Sequence, residues 1–121
     1  MENPSAFPMG EPNDGFAQYF VGQSYLASVL DTPEFSIHNV TFEPGCRNNW
    51  HIHHGGAQVL IAVGGRGYYQ IEGQEPKELK AGEAVCIPAD TKHWHGAAPG
   101  ESFSHLAFMV PAGDPDAMSN E

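Results

Sequence analysis

Short runs in which apolar and polar residues alternate recur along most of this chain, and few stretches carry a sustained helical period. Phe16 to Val21, Tyr25 to Leu30 and Phe35 to Glu43 read as three early strands, the third ending at Pro44-Gly45. Gln58 to Val63 and Gly67 to Glu72 read as two more, with Gly64-Gly65-Arg66 between them as a hairpin of the glycine type. Lys77 to Leu79, Glu83 to Pro88 and Ser102 to Val110 complete the set. Short strands at this spacing, with Gly and Pro between them, predict an all-β jelly roll or barrel rather than a parallel sheet with crossover helices. A length of 121 residues suits a single domain with a core large enough to stand without disulfides. The expected division is a flexible start at 1–15, a barrel over 16–112 and a flexible polar tail over 113–121.

Alternation also decides which side chains can meet. In an extended strand His51 and His53 point the same way, and Ile52 points the other. If they face inward with Gln58, the same phase puts Leu60 and Ala62 inside as apolar pocket walls. On the preceding strand His38, Val40 and Phe42 share one face, and Ile37, Asn39 and Thr41 the other. On the last strand Phe103, His105, Ala107 and Met109 share a face. With His93 as a distant third imidazole, His51, His53 and Gln58 offer four neutral donors to one divalent metal. Imidazole nitrogen suits zinc, copper, nickel and iron, and an amide oxygen suits the harder end of that series.

The glycine frame strengthens this picture. The first block reads Gly45-CRNNW-His51-Ile52-His53-HGGA-Gln58-VLIAVG-Gly65, and the second reads Gly82-EAVCI-Pro88-Ala89-Asp90-TK-His93. Together they resemble the two motifs of the cupin superfamily, G(X)5HXH(X)3-4E(X)6G and G(X)5PXG(X)2H(X)3N. The resemblance spans about residues 35 to 110 and implies a single-domain cupin jelly-roll β-barrel. Three positions depart from the pattern: Gln58 replaces the usual Glu, Asp90 the Gly, and Ala97 the final Asn. Gln58 is the chemically loaded departure. Three imidazoles and an amide leave a bound cation its whole positive charge, which makes it a stronger Lewis acid than one held by a carboxylate.

Four further histidines, His38, His54, His95 and His105, lie outside that set. An unperturbed imidazole titrates near pH 6.5 and can exchange a proton at physiological pH without tuning. His105 is the first choice for general acid/base, with His38 next. His95 follows His93 by two residues and can share its face as a supporting partner or a substitute ligand. His54 is turned away from His53 by alternation and is expected in a loop. The segments VTFEPG, KHWHGAAP and SHLAF are similar to those of small bacterial single-domain cupins, among them a group of manganese-dependent hydroxynitrile lyases. That resemblance implies ligands at His51, His53, Gln58 and His93, a pocket histidine at His105, and a homodimer. The aromatic segment around Phe16, Tyr19 and Phe20 is a candidate for donation to the partner sheet, since exposed aromatic strands otherwise invite aggregation.

Composition narrows the partners. Fifteen acidic residues against five basic give a net charge of -10, which argues against nucleic acid and anionic membrane surfaces. No apolar run approaches the length that crosses a bilayer, and the polar, Pro-rich first fifteen residues lack the apolar core of a signal peptide, so the expected location is cytoplasmic. Cys46 and Cys86 form no disulfide framework. Cys86, in the apolar run Ala84 to Pro88, is expected to be a buried small hydrophobe, and Cys46 a small hydrophobe or a redox-sensitive thiol.

The function these features favour is a small-molecule lyase or isomerase. A divalent metal (manganese, iron, nickel or zinc, with manganese implied by the resemblance) holds an oxygen of the substrate, and a pocket histidine moves the proton. An iron-dependent dioxygenase and a non-catalytic binding module are the alternatives. A purely structural metal site is disfavoured, because such sites are usually closed by thiolates.

Overall fold

A computed structural model describes residues 1–121 and shows a curled β structure with almost no helix. Twelve strands follow one another: β1 (Glu11–Pro12), β2 (Phe20–Val21), β3 (Ser24–Asp31), β4 (Ser36–Phe42), β5 (Arg47–Asn48), β6 (His53–His54), β7 (Gly56–Ile71), β8 (Lys77–Lys80), β9 (Ala84–Ile87), β10 (His93–Ala97), β11 (Phe103–Pro111) and β12 (Ser119–Asn120). All their pairings are antiparallel. One sheet runs β1-β3-β4-β11-β7-β9, another β2-β5-β10-β7-β8, and β6 pairs separately with β12. β7 belongs to the first two. Its first half pairs with β11 and β9, and its second half with β10 and β8.

That continuity corrects the expected hairpin at Gly64-Gly65-Arg66. The glycines serve close approach within one long strand rather than a reversal of the chain. Gly65 sits at φ 70°, and a Cβ there would lie 1.9 Å from the Ser102 carbonyl oxygen. Two extended segments with glycine between them look alike in sequence whether the chain turns or only bends, because glycine permits both. The expected strand at Phe16 to Val21 is likewise shortened. Asp14–Tyr19 forms a 3-10 helix, and only Phe20–Val21 is extended, paired within its own chain to Arg47–Asn48.

Phe42, Leu60, Ala62, Leu79, Ile87, Ala97 and Phe103 form the core, with Cys46 beside them. The alternation reading of the inner faces holds. Register places Phe103 opposite Phe42, His105 opposite Val40 and Ala62, and Ala107 opposite His38 and Leu60. Phe42 stacks on Phe103 at 6.0 Å between ring centroids and lies 5.3 Å from the His105 ring, so apolar core and polar pocket are continuous. The opposite face of the same sheet is also buried. Ser104 donates to Asn39 Oδ1 at 2.6 Å and lies 3.2 Å from the Thr41 hydroxyl, while Asn39 Nδ2 donates to the Pro8 carbonyl at 2.8 Å. The first residues therefore lie across the sheet and satisfy polar groups that water would otherwise have to reach.

Of the two cysteines, Cys46 takes the small-hydrophobe setting and Cys86 departs from it. Cys46 is buried, and burial pushes its thiol up to about 12, which removes the thiolate that redox sensitivity requires. Cys86 is exposed, because on β9 its neighbours Val85 and Ile87 take the inward positions. No helix is long and apolar enough to cross a membrane.

Candidate metal centre and pocket

Three imidazoles converge at one wall of the barrel. His51, just before β6, bridges to His93 at the start of β10 through paired backbone hydrogen bonds of 3.0 and 2.9 Å. His53 enters from β6, and the ligand-capable nitrogens of His51, His53 and His93 all lie within 4.8 Å of one another. These three residues could hold a metal ion.

The hydrogen bonds around the trio show how it is prepared. His51 Nδ1 donates to the Asn49 carbonyl at 2.7 Å, His93 Nδ1 to the Thr91 carbonyl at 2.8 Å, and His53 Nδ1 to the Asn120 side-chain oxygen at 2.7 Å. An oxygen on each Nδ1–H fixes the tautomer and leaves the Nε2 lone pair free, the usual arrangement around a ligating histidine. His53 Nε2 is buried and has no partner. His93 Nε2 faces Gln58 Oε1 at 3.2 Å, and with the His93 proton committed to Thr91 these are two acceptors looking at each other. A cation between them resolves both problems, so the donor set fits a divalent metal. Burial holds His93 down to about 4 and lowers His51, with the neighbouring histidines adding to the effect, so both are neutral and able to coordinate at physiological pH.

Deeper in the barrel sits a second histidine group. His95 stacks against His93 with ring centroids 5.8 Å apart, as the spacing of two suggested, but both of its nitrogens are engaged elsewhere. Asn48 Oδ1 accepts from the His95 backbone N–H at 2.8 Å, which turns Asn48 Nδ2 toward the His95 ring, nearer to Nε2 at 3.1 Å than to Nδ1 at 3.3 Å. His95 thus carries its proton on Nδ1 and donates it to His105 Nε2 at 2.9 Å, leaving His105 with its own proton on Nδ1, which has no partner. Both residues are buried in the barrel, and both border its cavity. Burial lowers His105 to about 4 and holds His95 well below its ordinary range, with the nearby His105 adding to the shift of His95. The neutral forms therefore prevail at pH 7, in contrast to the untuned titration expected from sequence.

A cavity of about 590 Å³ joins the two groups. Gln58, His38 and Val40 line it together with His51, His53, His95 and His105, and Phe16, Tyr19, Phe20 and Trp50 give it an aromatic side. His38 and Gln58 also line a smaller neighbouring cavity of about 260 Å³, beside Met109 and Met118.

His54 is placed on the outside, though in a strand rather than a loop. Asp90 and Glu121 hold its two nitrogens at 2.7 and 2.5 Å, and these carboxylates raise its pKa, that of Glu121 foremost. Asp90 also explains its departure from the cupin glycine. Its φ of 62° is the left-handed conformation that Asp tolerates better than most residues. Asn48 and Asn120 are the site residues that sequence reasoning missed. Asn48 fills a variable position of the first block and Asn120 lies outside both blocks, so only the fold brings them to the histidines.

Comparison with known proteins agrees with this geometry. The cupin domain family matches residues 38–111. The chain belongs to the cupin family. This cupin is 40% identical over 98 residues to an (R)-mandelonitrile lyase of Granulicella tundricola, covering 78% of this chain and 74% of the relative. Among solved structures, a cupin-like protein from Thermotoga maritima superposes with a TM-score of 0.84 at 31% identity, over 97% of this chain and 86% of the other. A predicted oxalate decarboxylase from the same organism shares the fold, with a TM-score of 0.75 at 17% identity over 92% and 99% of the two chains.

Proposed function

We propose that this cupin is a metal-dependent carbon–carbon lyase that splits small cyanohydrins, aryl ones foremost, into an aldehyde and hydrogen cyanide. The observation that carries the reading is the set of free lone pairs on His51, His53, His93 and Gln58, each imidazole anchored through Nδ1, at the wall of a cavity with an aromatic side. The 40% identity to a mandelonitrile lyase supports the choice of reaction. A divalent ion in this set supplies Lewis acidity to the substrate oxygen, and manganese is the proposed resident over iron, nickel or zinc.

The chain's own residues divide the remaining work. His38, half-buried on the cavity wall, takes the hydroxyl proton. The carbon–carbon bond breaks, its electron pair leaves with cyanide, and the oxygen becomes the aldehyde carbonyl. His105 is held toward the neutral form by burial, so here it acts through its neutral N–H rather than as an imidazolium. Its unpartnered Nδ1–H instead donates a hydrogen bond to the developing anion, oriented through His95 and Asn48. His38 then returns its proton to cyanide, which balances the reaction. Phe16, Tyr19 and Phe20 offer apolar contact for an aryl group.

The same proposal includes a homodimer, supported by exposed Phe16, Tyr19, Val21 and Trp50, and a solution mass of twice 13.1 kDa would agree with it. A reducing, cytoplasmic setting is supported by two free cysteines in an acidic domain. The decisive experiment incubates purified protein, with metal content measured, with mandelonitrile and an aliphatic cyanohydrin while aldehyde release is followed. Release well above the spontaneous rate, abolished by chelation and restored by manganese, is expected. Stoichiometric metal without release would instead favour a cupin that binds small molecules without turning them over.

A further inference from the structure

The last residues of the sequence, expected to be a loose tail, are hydrogen-bonded into the metal centre. Ser119–Asn120 pairs as a strand with His53–His54. Ile52 and Glu121 exchange two backbone hydrogen bonds of 2.8 Å, N–H to carbonyl in each direction. Met118 closes the other side of the same strand, and a Cβ added to Gly56 would come within 2.6 Å of its sulfur. Outside the barrel Glu121 joins Asp90 on the His54 ring. On the cavity side, the exposed Asn120 accepts the His53 Nδ1 proton on its Oδ1 at 2.7 Å.

The Asn120 contact differs from its two counterparts. His51 and His93 give their Nδ1 protons to backbone carbonyls two residues away, oxygens that any side chain at Asn49 or Thr91 would leave in place. His53 depends on one side chain 67 positions distant in sequence. Without that acceptor, its ring could move its proton to Nε2 and turn its lone pair away from the other donors. A ligand whose tautomer is set only by an outer partner loses affinity when the partner goes.

We infer that residues 118–121 form a strap over the metal centre and that Asn120 is the positioning residue that holds His53 in its metal-binding tautomer. The inference rests on the metal reading above and can fail separately from it. Its test compares Asn120→Leu, close in size but without an acceptor, and Asn120→Asp, which keeps one, against the unaltered protein. Zinc affinity is measured by chelator competition, and the ring nitrogens of metal-free, histidine-labelled protein are followed by NMR.

Asn120→Leu should bind zinc roughly 10 to 100 times more weakly, and Asn120→Asp should return to within about threefold of the unaltered protein. In the metal-free spectra the His53 ring should leave its single Nδ1–H form in Asn120→Leu and keep it in Asn120→Asp. A merely structural role for the strap would move neither the tautomer nor the rescue. Equal zinc affinity in all three proteins, or an unchanged His53 tautomer in Asn120→Leu, overturns the inference. Should Asn120→Leu fail to fold, Asn120→Ser, too short to reach the ring, carries the same test. If the unaltered protein binds no zinc, manganese or iron, the metal reading fails, and the tautomer shift still decides the strap.

Discussion

The two groups of histidines in this barrel are built from the same side chain and arranged for opposite ends. In the outer group, His51, His53 and His93, every Nδ1–H is given to an oxygen and every Nε2 is left for something else. In the inner pair, His95 and His105 bond to one another and to Asn48, so that a single proton chain runs through them and ends on an N–H with no partner. The first group presents lone pairs, the second a donor. Burial serves both, because it holds His51 and His93 of the first group and His95 and His105 of the second toward the neutral form: a cationic imidazole can neither ligate nor lie beside four others.

Removing a member of each group should separate the two roles. The largest effect is expected from His93→Ala, which deletes a donor outright. Metal affinity should fall by more than the roughly 100-fold that loss of an outer partner can cost, and elemental analysis of the purified variant would show the site largely empty of metal. Full metal occupancy in His93→Ala would dissolve the distinction between the groups.

His105→Phe should do the reverse. Its metal content should match the unaltered protein, while cyanohydrin cleavage falls by roughly 10²–10³, the usual cost of removing one donor to a developing anion. The same variant carries a stability signature. Above about pH 6.5 His105 is neutral in both the folded and the unfolded chain, and its burial adds no dependence on pH. As pH falls toward about 4, the unfolded chain takes up a proton that the folded protein refuses, so stability should drop by roughly 3 kcal/mol from this residue alone. Thermal melting of metal-free protein between pH 7 and 4 should therefore be less steep in His105→Phe. Identical slopes would show that the inner pair is not held neutral by burial.

The smallest expected change is Gln58→Glu. A carboxylate facing His93 tightens metal binding several-fold and lowers the charge left on the ion, so turnover should fall while affinity rises. Parallel gains in both would remove the reason given for the amide.

Much of this arrangement was legible in the chain. The alternation that put His51 with His53, Gln58 with Leu60 and Ala62, and Phe103 with His105 is a property of extended backbone, and the structure keeps those faces inward, although Leu60 and Ala62 pack in the core rather than wall the cavity. Glycine was the weaker signal. At Gly64-Gly65 it marked a near-collision with Ser102 inside a continuous strand, although the same residues would serve a hairpin equally well. Cys86 was read from the apolar character of its run, whereas its exposure follows from the phase of the run.

What the sequence determined by itself is the inventory and its local order: four donors at cupin spacings, a chain of strands, and which neighbours share a face. These depend on the period of the backbone and on contacts a few residues apart. Only the tertiary structure decided that the first residues cover Asn39 and Ser104, that Asn48 sets the proton on His95, and that Asn120 holds His53. Such contacts join positions dozens of residues apart through single polar side chains. Nothing in their local pattern sets them apart from solvated ones until the fold buries Asn39, Ser104 and Asn48 and brings the exposed Asn120 onto the His53 ring.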